Sequence, residues 1–168
     1  MEITNQASEK FKDKQTEVID ALLELLRLIN ALEQTIFERD SEINWKIRKK
    51  ELTAAEIKTA FDDLWRDYRE ECKKIVEPRC TDKLLKKGYA RSFNNVPMYS
   101  YIDDPEDDCK GVFTMDSVKK AVVEFRFTKR TSVNFMHRFT LVPSGDKWLV
   151  DAFSYGTEQE GVWHRGHI

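Results

Sequence analysis

At 168 residues, with 40% apolar and 35% charged side chains, the chain has the length of one domain and enough apolar surface for a real core. A formal charge of −2 gives no global basic field for nucleic acid, and no apolar run approaches the roughly 18 residues of a membrane span. The opening MEITNQASEKF has neither a basic nor an apolar signal region, and the three cysteines, none in a CxxC pair, fit free thiols in a reduced, cytoplasmic setting.

Neither glycine nor proline occurs before Pro78, so the first half of the chain reads as helical. Over residues 5–39, Val18, Leu22, Leu25, Ile29, Leu32 and Ile36 recur at spacings of four and three and line one face, which Ile19, Leu23, Leu26 and Leu28 widen. So wide a stripe touches two neighbours, or one neighbour and a second copy of the chain in a homodimer; burial inside its own domain is the preferred reading. The basic cluster Lys46, Arg48, Lys49 and Lys50 reads as a solvated face, with no direct nucleic-acid contact expected from a chain of near-neutral charge. Next, Thr53 and Glu56 have the spacing of a capping box. The helix they open puts Ile57, Ala60, Phe61, Leu64, Trp65, Tyr68, Cys72 and Ile75 on one face, and Pro78 ends it.

Beyond Pro78, CTDKLLKKG reads as a short helix closing at Gly88, followed by a loop that runs through SFNNVP to YIDDPEDDC. From residue 118 the period becomes two. Ala121, Val123, Phe125 and Phe127 share a face in one strand, and Phe135, His137, Phe139 and Leu141 share one in the next. PSGD is a turn and KWLVDAFSY a third strand. Helices first and an antiparallel meander after them make an α+β chain: a helical extension over residues 1–52 and an α+β domain over residues 53–168, packed as one unit.

Chemistry-bearing residues are few. Asp103, Asp104, Glu106, Asp107 and Asp108 crowd around Pro105, with Tyr99 and Tyr101 just before them. A helix-loop-helix calcium loop counted from Asp103 needs Gly at its sixth position and Glu at its twelfth; Asp108 and Thr114 stand there, so that motif fails. The run is therefore a solvated turn or a protein-binding one, since concentrated negative charge beside tyrosines suits a basic partner surface. His137 shares its face with phenylalanines and points into an apolar interior or cavity, as a satisfied core residue or as a general base. Asp151, read onto the face of Leu149 and Phe153 on the next strand, is a partner for it only if the two faces meet. His164 and His167 lack a third ligand, and no phosphate loop or nucleophile motif occurs, so no catalytic residue, metal or cofactor is assigned.

Taken together, CTDKLLKKGY, the phenylalanine-rich hairpin, HRFTLVPSGDKWLVDAF with Trp148 and Asp151 on its last strand, and the tail DAFSYGTEQEGVW resemble bacterial immunity proteins of the nuclear-transport-factor-2-like fold. The resemblance covers residues 55–168 and leaves the helix of residues 5–39 outside it. It implies a curved antiparallel sheet wrapped on helices as a cystatin-like cone, in a cytoplasmic protein that neutralises a cognate polymorphic toxin by binding it. The residues from Tyr99 to Asp108 would form part of that contact. The same fold also carries isomerase- and dehydratase-like enzymes and ligand-binding proteins, and in that alternative the cone would hold His137 and Asp151, because fold does not fix function.

Overall fold

The computed structural model describes residues 1–128 and 133–168. Helices α1 (Gln15–Arg48) and α2 (Ala54–Val76) form where apolar residues recur every third or fourth position and nothing breaks the hydrogen-bond ladder. The capping box is present: the Glu56 amide donates to Thr53 Oγ1, and the Glu56 carboxylate accepts from the Thr53 amide at 2.8 Å. α1 extends past the expected residue 39 to Arg48, because its polar second half still contains no breaker; Lys50, at φ 59°, ends the turn that follows.

The first residues depart from the helical expectation. Glu2–Asn5 form a strand, β1, and Glu9–Lys14 a 3-10 turn. The Asn5 side chain accepts the Ala7 amide at 3.0 Å, a local bond that competes with helix and lets the chain turn from strand to α1. Four further strands, β2 (Lys110–Ser117), β3 (Lys120–Thr128), β4 (Asn134–Ser144) and β5 (Lys147–Thr157), lead to the short β6 (His164–Arg165). The six lie side by side in chain order, with β1 parallel to β2 and every other neighbour antiparallel. The sheet is thus mixed, not wholly antiparallel, because β1 arrives ahead of the helices and pairs without a hairpin. β2 fills the stretch between the acidic run and residue 118, for which the sequence suggested no element.

The helices cover one face of this sheet. Val18, Leu22, Leu25, Ile29 and Ile36 of α1, Leu64, Tyr68 and Cys72 of α2, and Phe113, Val123, Phe125, Phe139 and Phe153 of the sheet belong to one buried cluster. The boundary expected at residue 52 falls in the turn between α1 and α2, and both sides feed the same core. The stripe of α1 is used within its own chain, leaving Trp45 as the large apolar side chain that this helix exposes. Among the described residues, no helix is long and apolar enough to cross a membrane. A bulge in β5 completes the frame: Val150 pairs with Leu141 and Ala152 with Thr140, so Asp151 is the extra residue between them. Trp148 and Val150 before it, and Phe153 after it, are buried, whereas Asp151 is displaced from that face.

Phe139 sits at the centre of the sheet, fully buried, its ring 4.8 Å from that of Phe153. Phe139→Ala is expected to lower the free energy of unfolding by about 3–5 kcal/mol in urea with little change in m-value. A loss under about 1 kcal/mol would mean that the inner face is not packed as described.

Candidate functional site

Tyr99 and Tyr101 sit on either side of Ser100, the first residue of a 3-10 turn (Ser100–Ile102), and both side chains point inward, at 0% and 1% exposure. Tyr101 lies flat on Phe127, with centroids 3.7 Å apart, and its hydroxyl meets His137 Nδ1 at 2.9 Å. The Tyr99 ring stands edge-on to His137, Phe139 and Phe153. Burial pushes both phenols far above their ordinary pKa. Backbone bonds fix the segment further: the Met98 amide donates to Glu33 Oε2 at 2.8 Å, and the Tyr99 amide to Asn30 Oδ1 at 3.0 Å. The expectation that these tyrosines offer a contact surface is therefore corrected. Docking the loop onto the sheet buries them, and they serve as anchors.

The carboxylates they anchor divide by exposure. Asp103 takes a bidentate pair of bonds from Arg27, at 2.8 and 2.9 Å, and that guanidinium holds its carboxyl below the ordinary range. Asp104 is half-buried and accepts the Glu106 amide at 2.9 Å, which shapes the turn. Asp107 is buried, whereas Glu106 and Asp108 face solvent, Asp108 at 3.4 Å from Lys110 Nζ. No group of three or more His, Cys, Asp or Glu side chains is placed to hold a metal among the described residues.

Behind the anchors lies a cavity of about 500 Å3 between α1, α2, the loop at residues 90–99 and the inner face of the sheet. Ile29, Phe127, Phe135 and Tyr155 supply apolar wall, and the buried Glu33 and His137 supply polar wall. Glu33 was not singled out from the sequence, although its place in the α1 stripe, four after Ile29 and three before Ile36, was a signal: a charged residue on an apolar face needs a reason. Cys72, also in the wall, has its thiol pushed up to about 11 by burial and stays protonated. Asp151 does not join His137. The bulge turns it to the α3 side (Asp82–Leu85), where Thr81 Oγ1 donates to it at 2.9 Å and Lys83 pairs with it. His167 lines the cavity, while His164 lies 3.7 Å from Glu160, so the two histidines form no common site.

The site thus has two parts: an acidic turn outside and an aromatic cavity inside, joined by Tyr99 and Tyr101. No family model matches the chain, and neither a curated protein nor a solved structure matches it.

Asp151 gives a pH test of the bulge. Burial opposes its charge, but the bonds from Lys83 and Thr81 outweigh that and hold its carboxyl below the ordinary value of 3.8. A carboxylate depressed in the folded state contributes stability above its unfolded pKa and loses it as the pH falls through the lower folded value. Asp151→Asn should therefore cost about 1.5–3 kcal/mol near neutral pH and progressively less in acid below that value. Equal losses at neutral pH and pH 2, measured by thermal unfolding, would assign the effect to shape and not to charge.

Proposed function

We propose that this chain is an immunity protein: it binds and neutralises a cognate bacterial toxin domain by occlusion, on a cone of the nuclear-transport-factor-2-like kind, in the cytoplasm. The resemblance carried by residues 55–168 supplies the class, and one observation gives it a surface. Asp103, Glu106 and Asp108 are exposed on a turn whose neighbours Tyr99, Tyr101 and Cys109 are buried, so negative charge is held out from a fixed base. A charged turn already ordered before binding loses less entropy on complex formation and steers a basic partner. Where the toxin acts on nucleic acid, its phosphate-binding surface is the complementary patch, and the carboxylates stand where phosphates bind. Tyr99 and Tyr101 act in this reading through the position of the turn.

The test uses the toxin domain encoded beside this chain. Cells making that toxin should survive only when the chain is co-expressed, and the purified pair should associate rapidly at low salt. Combining Asp104→Asn, Glu106→Gln and Asp108→Asn should slow association about ten-fold at low salt and flatten its salt dependence. An unchanged on-rate would return the turn to solvent, and absence of protection would end the immunity reading.

A further inference from the structure

The cavity has an open end that the acidic turn does not explain. Arg91, Asn94, Val96 and Tyr155 line it and are exposed, so they mark its mouth, whereas Phe127 and His137 are buried and mark its floor. Arg91 donates to the Lys87 carbonyl and pairs with no carboxylate among the described residues. A fixed positive charge thus stands at the mouth of an aromatic cavity without a counter-charge. The chain anchors it from both sides. Before it, Gly88, at φ 99°, leaves the space that the guanidinium fills, since a Cβ there would lie 2.8 Å from Arg91 Nε and Nη2. After it, Phe93 packs against the rings of Trp65 and Tyr68, and the Tyr68 hydroxyl donates to the Ser92 carbonyl at 3.0 Å.

We infer that this cavity binds a small planar aromatic carboxylate, with its ring against the apolar wall and its carboxylate on the Arg91 guanidinium at the mouth. The volume, about 500 Å3, lies within the range of roughly 300–1,000 Å3 usual for small-molecule sites. Phe135, half-buried, and Tyr155, exposed, offer ring surface that a planar ligand reaches and packs against. A guanidinium presents a rigid planar fork that a carboxylate matches with two parallel bonds. One Nη2 hydrogen goes to Lys87, and the rest of the fork remains for the ligand. His167, half-buried in the same wall, is held toward its neutral form by burial and by Arg91, so it offers a ring N–H without a second charge. A single negative charge is the one that fits. Glu33, the carboxylate of the wall, is buried on the Met98 amide and opposes any further negative charge on the ligand.

This inference goes beyond toxin binding, and its assay contains no toxin, so it stands or falls separately. The probes are naphthalene-2-carboxylate and the uncharged naphthalene-2-carboxamide, each titrated into the full chain by calorimetry near neutral pH. The carboxylate should bind at one site, about ten-fold tighter than the amide. Arg91→Gln removes the charge and should weaken carboxylate binding about twenty-fold while leaving the amide unchanged. Arg91→Lys restores the charge without the fork and should recover part of that loss. Because Arg91 is exposed and its bond goes to a backbone carbonyl, both variants should keep the parent's circular dichroism and melting temperature. Val96→Trp adds bulk at a wall position that is 49% exposed and should abolish carboxylate binding, which separates the cavity from the outer surface of Arg91. The inference is overturned by a parent that binds the carboxylate without saturation or no better than the amide, by an Arg91→Gln variant unchanged in carboxylate affinity, or by a Val96→Trp variant that binds like the parent.

Discussion

The 2.9 Å contact between the Tyr101 hydroxyl and His137 Nδ1 closes an aromatic cluster that holds the loop before β2 against the sheet. Around it, Tyr101 stacks on Phe127, Tyr99 meets Phe139 and Phe153 edge-on, and His137 stands perpendicular to Phe153. Each aromatic pair is worth about 0.5–1.5 kcal/mol beyond its buried area, and the hydroxyl–imidazole bond about 1 kcal/mol. The outer tie of the same loop, Arg27 to Asp103, is about half exposed on both sides and contributes at most about 1 kcal/mol after screening. The inner contacts therefore decide where the loop lies, and the ion pair refines the direction of its carboxylates.

Periodic signals in the sequence survive in the structure because they are local. The phenylalanines of β3 and β4 alternate, and every one expected on the inner face lies there with His137 among them. The stripe of α1 and the capping box of α2 follow from spacing alone. What escaped was set by partners far away in the chain. β1 is four residues long, mostly polar, and is defined only by pairing with residues 110–113. Tyr99 and Tyr101 sit in a polar, turn-forming context, and their burial depends on the sheet they reach. Asp151 was read by strict alternation, which one inserted residue in β5 reverses.

Electrostatics follows the same division. Most ion pairs on α1 and α2 join residues three or four apart, such as Glu42 with Lys46 and Lys58 with Asp62, and these exposed pairs mainly balance charge along a helix. The long-range pairs are fewer and more telling: Arg79 ties α1 at Glu24 to the end of α2, and Lys83 ties α3 to the bulge at Asp151. A net charge of −2 thus conceals a specific arrangement in which the acidic turn is tied to α1 at Asp103 and leaves Glu106 and Asp108 facing solvent.

Tyr99 is both a wall of the cavity and, four residues before Asp103, the root of the acidic turn. The loop and its carboxylates therefore share one seat: a substitution that unseats the Tyr99 ring also releases the turn that carries Asp103.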